Sequence, residues 1–178
     1  MNKLYDIWAK KNPRFEKEFD KSIVQMYCQY GGGSAEGQVG KGKTFNAGYE
    51  IFIYAFFLGL YANNRRALIN RDGFFGQPIQ FWGNVTQKGR HQYSQIRNYI
   101  FAAVVAKTEI DLIAIEKGEI PVEEGVSQLI KTMEEYANGG FYMIQAKMET
   151  NPGFFFENTG FLNMLISQCQ ESDEDDDD

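Results

Sequence analysis

Histidine and cysteine are almost missing from this chain: one histidine, His91, and two cysteines, Cys28 and Cys169, in 178 residues. A structural zinc site needs four closely spaced Cys or His ligands, so none is expected, and no other cofactor is implied. A Cys-His nucleophile pair has no local pattern to support it. The two cysteines lie far apart in sequence, and the chain reads as holding free thiols in a reducing cytosol. Long apolar runs are missing too. The strongest, Ile51 to Ala62, is twelve residues, short of the roughly 20 needed to cross a bilayer. The start, MNKLYDIWAKKNP, lacks the apolar core and small-residue cleavage site of a secretory signal, so a cytoplasmic protein with no membrane partner is expected.

The length suits one domain and is short for two. Aromatics are abundant, with 15 Phe and 10 Tyr, and each buries a large area in a core or an interface. The net charge of −6 misleads, because the last eight residues, ESDEDDDD, carry −7 and the other 170 sum to +1. That body is polarised. Residues 38–97 hold Lys41, Lys43, Arg65, Arg66, Arg71, Lys88, Arg90 and Arg97 against Glu50 and Asp72, a net of +6, and residues 109–149 sum to −6. The tail, 171–178, has nothing to bury and repels itself, so it is expected to be disordered.

Hydrophobic spacing is helical nearly throughout. Leu4, Ile7 and Trp8 mark a short first helix over 2–11. After Asn12-Pro13, the positions Phe15, Phe19, Ile23, Met26, Tyr27 and Tyr30 fall on one face of a helix over 14–30. A glycine-rich loop, 31–43, is expected to be flexible. The helix over about 44–63 is apolar all round, which places it inside the fold. Residues 64–87 are irregular, yet carry enough aromatic side chains to pack. One long helix or two joined helices follow over 88–117, ended by Gly118. Pro121 opens the next, and Asn138-Gly139-Gly140 is expected to break it before a helix over 141–150. A last helix covers about 159–169. No other segment reads as a strand. The expectation is an all-α fold: a single domain, 1–170, built as a compact helical bundle of six to eight helices around the 44–63 helix.

The sharpest motif is Gly37-Gln38-Val39-Gly40-Lys41-Gly42-Lys43-Thr44. It matches the phosphate-cradling G-x-x-x-x-G-K-[ST] pattern of a nucleotide-binding enzyme. That geometry needs a strand ending at the first glycine and a helix starting at the Lys-Thr. Gly31-Gly32-Gly33 precedes the motif instead of a strand, so the plainer reading is a chance match. The loop N–H groups with Lys41 and Lys43 could still hold an anion at a helix N-terminus. Glu123-Glu124 and Glu134-Glu135 read as a solvated helix face, and no catalytic residue is assigned.

The basic stretch interleaves its cations with Phe74, Phe75, Phe81 and Trp82. Lys and Arg neutralise phosphates, and exposed aromatics stack on bases. The leading expectation is therefore a non-enzymatic binding or accessory protein that contacts DNA or RNA through 38–97. A third reading is a structural protein that meets a protein partner, or copies of itself, through the aromatic residues of 73–82.

Two segments, YEIFIYAFFLGL over 49–60 and YANGGFYMI over 136–144, resemble the small helical E component of the DNA phosphorothioation (Dnd) system. The resemblance covers about a ninth of the chain. It implies an all-helical, oligomeric protein that binds DNA through lysines. This chain is longer and has an acidic tail, and its lysines do not align, so no functional residue is carried over.

Overall fold

The glycines and prolines between helical segments leave room for seven α-helices among the described residues, and these make an all-α fold. The computed structural model describes residues 2–29, 43–84 and 92–175, with side chains in the last helix as far as Gln168. The helices are α1 (Asn2–Ala9), α2 (Gln25–Tyr27), α3 (Gly48–Tyr61), α4 (Ile96–Lys107), α5 (Leu112–Lys117), α6 (Val122–Thr150) and α7 (Gly160–Asp175). Among the described residues two strands of two residues each, β1 (Arg14–Phe15) and β2 (Gly73–Phe74), pair in a small sheet. The glycine-rich segment expected to be flexible falls outside the described residues but for Lys43. The acidic tail is helical through Asp175, and its last three residues also fall outside.

The chain forms two compact units, Met1–Arg14 with Phe74–Glu134, and Phe15–Gly73 with Glu135–Asp178. In the first unit Trp8, Trp82, Ile100 and Val104 are fully buried. Tyr5, Trp8 and Phe101 form an aromatic cluster with centroids 5.1–5.6 Å apart. In the second, α3 is the most buried helix, with Ile51, Phe52, Ala55, Phe56 and Leu58 all at 0% exposure. Its uniformly apolar sequence demands such a place. Phe161 of α7 closes this core against Tyr54, Phe45 and Phe155, with centroids 4.4–5.2 Å apart.

Several elements differ from the sequence expectation. Residues 14–30 do not form one helix. Arg14 and Phe15 are strand, and a π-turn over Asp20–Val24 precedes α2, with the Gln25 N–H donating to the Asp20 carbonyl. Phe15, Phe19, Ile23 and Tyr27 are buried as their spacing predicts, but the wider turn leaves Met26 at 38% exposure. The helix expected from Thr44 starts at Gly48, because Phe45 is engaged in a parallel bridge with Cys28. Glu50, in its first turn, accepts from the Asn46 N–H at 2.7 Å. Of the two alternatives for 88–117, the described residues show two helices, α4 and α5. Asp111 caps the second by accepting from the Ala114 N–H at 2.9 Å, and Gly118 ends it with φ +78°.

The largest difference is α6, which runs unbroken through Asn138-Gly139-Gly140. Two glycines inside a helix cost about 1 kcal/mol each relative to alanine. They are needed for contact. A Cβ at Gly139 would overlap the Asn64 carbonyl, and one at Gly140 the Ala55 carbonyl. On the facing helix, a Cβ at Gly59 would overlap the Tyr136 carbonyl. The backbones of α3 and α6 therefore meet directly, with no side chain between them.

Candidate functional site: an anchored arginine loop

Helix α3 ends in a Schellman motif. Asn63 takes the left-handed conformation at φ 46°, its N–H donates to Leu60 O at 3.2 Å, and the Asn64 N–H donates to Gly59 O at 2.8 Å. The chain that follows, Asn64 to Asp72, has no regular structure of its own, yet it carries Arg65, Arg66 and Arg71.

Three polar side chains of the second unit hold this loop. Glu135, buried at 7% exposure, receives the Arg65 Nε–H on Oε2 at 2.7 Å, and its carbonyl receives the Arg66 N–H at 3.0 Å. Asn138, 1% exposed, directs its side-chain NH2 at Arg66 O (3.3 Å), Ala67 O (3.2 Å) and Glu16 Oε1 (3.0 Å). Glu16, fully buried, also accepts the Ile69 N–H on Oε1 at 2.8 Å. Its other oxygen accepts the Tyr142 hydroxyl at 2.9 Å, with exposed Glu18 Oε1 as an alternative acceptor at 3.0 Å. The Lys17 N–H donates to Asn70 Oδ1 at 3.1 Å. A buried carboxylate is tolerated only when its lone pairs are satisfied, and both Glu16 oxygens are.

The electrostatics follow from these contacts. Burial works to raise the Glu16 pKa. Hydrogen bonds from Ile69, Tyr142 and Asn138, with a further one involving Glu18, outweigh it, and the carboxyl sits below its ordinary 4.5. Burial, followed by the hydrogen bonds and charges of Glu16 and Glu18, pushes the Tyr142 hydroxyl up to about 12. The phenol donates to these carboxylates, and the shift strengthens its hold on the proton.

The Arg66 guanidinium lies over the Tyr142 ring, with its central carbon 3.3 Å from the ring centroid. Its side-chain N–H groups make no hydrogen bond or ion pair among the described residues. A stacked guanidinium keeps its donor edge available, and that fork matches a phosphate or carboxylate bidentately. Arg65 is committed to Glu135, and Arg71 is exposed. The carboxylates in contact with this assembly, Glu16, Glu18 and Glu135, offset the charge of Arg65, Arg66 and Arg71, so binding here depends on donor geometry more than on net field.

The other sequence candidates are distributed. Lys43, half-buried, donates its ammonium to the Gln25 carbonyl in the second unit. Arg97 belongs to the first unit and donates to the carbonyls of Ser94, at 3.0 Å, and Gln80. Lys41, Lys88, Arg90 and His91 lie outside the described residues, as do Gly37 to Gly42 of the nucleotide-loop motif. The described part, Lys43-Thr44, stands four residues before α3 begins and does not open a helix. Among the aromatics, Trp82 is fully buried and donates its indole N–H to Gln77 O at 3.0 Å. Phe74 is 58% exposed with the Arg14 guanidinium over its ring at 4.9 Å, Phe81 is 46% exposed, and Phe75 is half-buried.

Glu134 and Glu135 are buried, and only Glu123 and Glu124 form the solvated acidic face expected of all four. Glu134 accepts the Arg14 N–H at 2.8 Å. Sequence reading also missed Glu16, Asn138 and Tyr142. One signal for Asn138 was there: a polar residue beside two helix-interior glycines marks a close backbone approach. No group of His, Cys, Asp and Glu among the described residues could hold a metal ion. No helix among them is long and apolar enough to cross a membrane.

Fold and site together define an all-α protein with a rigidly held arginine loop. No protein-family model, curated protein or solved structure matches the chain.

Proposed function

We propose that this chain is a non-enzymatic binding protein that takes a phosphate-bearing partner on the Asn64–Asp72 loop, with nucleic acid as the partner. One observation carries the reading: the Arg66 guanidinium, stacked on Tyr142, has its donor edge unclaimed on a loop whose backbone is tied to buried Glu16, Glu135 and Asn138. A preorganised donor loses little conformational entropy on binding. Arg71, exposed on the same loop, supplies a second cation. The resemblance to the Dnd component implies the same ligand, DNA, but through lysines, and lends nothing to the arginine loop itself. The same reading places the protein in a reducing cytoplasm, where the free thiol of Cys28 would stay reduced.

The test is fluorescence anisotropy with short DNA and RNA between about 50 and 200 mM salt. Binding weakens as salt rises, and Arg66→Ala raises Kd about tenfold, with stability changed by no more than about 1 kcal/mol. Absence of salt-sensitive binding by the wild-type chain would sink the proposal. A second reading, association through an aromatic surface, rests on exposed Phe74 and Phe81. Sedimentation of the purified chain decides it, since a clean monomer counts against self-association there.

A further inference from the structure

In the first unit α1, α5 and the start of α6 enclose a groove of about 560 Å³. Its walls are apolar and include Leu4, Ile113, Ile115, Ile120, Pro121 and Val122. The geometry arises from α5, a helix of six residues. Asp111 caps its start and Gly118 turns the chain sharply at its end, so Ile120 and Pro121 return beside it. At this corner Ile113 stands 65% exposed. Ile113 itself lines the groove, so the apolar walls and this exposed side chain form one contiguous surface, the kind that serves as a docking site.

The charge around the groove is one-sided. Glu116 and Glu123 line it with one cation, Lys3. The segment that builds it also exposes Glu109, Asp111, Glu119 and Glu124, giving six exposed acids against three cations, Lys3, Lys117 and Lys131. A groove between helices with an apolar floor and acidic surroundings complements one kind of occupant: an amphipathic helix with an apolar stripe and basic flanks. We infer that this groove docks a basic amphipathic helix of a partner protein. The leucine-like stripe fills the space between Leu4 and Ile120, and the lysines or arginines beside it meet Glu116 and Glu123. This site belongs to the first unit, whereas the arginine loop belongs to the second, and it takes a partner of the opposite charge.

The probe is a fluorescently labelled amphipathic Leu/Lys helical peptide added to the full-length chain. A permutation of the same composition without the apolar stripe and a Leu/Glu counterpart serve as controls. The wild-type chain binds the Leu/Lys helix at least about tenfold more tightly than either control. Ile113→Asp and the double variant Glu116→Lys/Glu123→Lys each weaken binding about tenfold or more. All three positions are exposed, and circular dichroism confirms that the variants fold. The inference is overturned if the wild-type chain does not bind the probe. Equal binding of the permuted peptide, or undiminished binding by Ile113→Asp, overturns it as well. A dimer in sedimentation that Ile113→Asp abolishes also counts against it, because the groove would then belong to a second copy of this chain.

Discussion

At the residue scale, Glu16 organises the candidate site although nothing next to it in sequence announces it. Its carboxylate joins the loop N–H of Ile69 to Asn138 and Tyr142 of α6. Hydrogen bonds hold its folded pKa below 4.5 against the opposing effect of burial. The stabilisation it provides is therefore present above about pH 4.5 and is lost as the pH falls through the folded value. We predict that Glu16→Gln is about 2 kcal/mol less stable than wild type at neutral pH, because a neutral amide replaces a charged acceptor. The wild-type advantage shrinks as acid protonates Glu16. Urea denaturation from about pH 7 to 3 measures both; a wild-type advantage that persists unchanged in acid contradicts the assignment. Cys28 is a contrasting case. Burial, with the Glu50 charge adding to it, pushes its thiol up to about 12, which makes it a packing residue and not a nucleophile.

At the element scale, α6 shows where periodicity and composition disagree. Val126, Leu129, Ile130 and Met133 line one face as their spacing predicts, and all are buried. Asn138-Gly139-Gly140 reads locally as a breaker, yet the helix continues because those glycines touch Asn64 and Ala55 directly. Gly140→Ala would gain intrinsic helix propensity and still destabilise the protein, by about 3 kcal/mol, because the added methyl group meets backbone that cannot move aside. Thermal and urea unfolding test this, and an unchanged or raised stability would show the contact to be dispensable. The π-turn at Asp20–Val24 is a similar case. Period-four spacing found the buried side chains at Phe19, Ile23 and Tyr27, but could not tell a π-turn from an α-turn. In α4, Tyr99 keeps the apolar pattern but is 63% exposed, because a face is buried only where another element covers it.

At the scale of the whole molecule, charge is legible in the sequence and its placement is not. The basic segment 38–97 is divided at Gly73-Phe74, so Arg65, Arg66 and Arg71 belong to one unit and Arg97 to the other. The eight terminal residues carry −7, enough to compete with phosphate for the cations of the body. Removing residues 171–178 is expected to tighten nucleic-acid binding at low salt, with the two forms converging as salt approaches a Debye length of about 3 Å near 1 M. Anisotropy across that range checks it; a deletion without effect at low salt would make the tail a bystander. The sequence alone determined the all-α class, the burial of the apolar helix expected over about 44–63, the helix stop at Gly118, and the charge asymmetry. These are local or additive properties, set by hydrophobic period, turn chemistry and composition. Only the tertiary structure decided that Glu16, Glu135 and Asn138 are buried around an arginine loop, that Gly139-Gly140 is a contact, and that Ile113 is left uncovered beside a groove. Each depends on partners brought together from far along the chain, and no local pattern encodes which residues those will be.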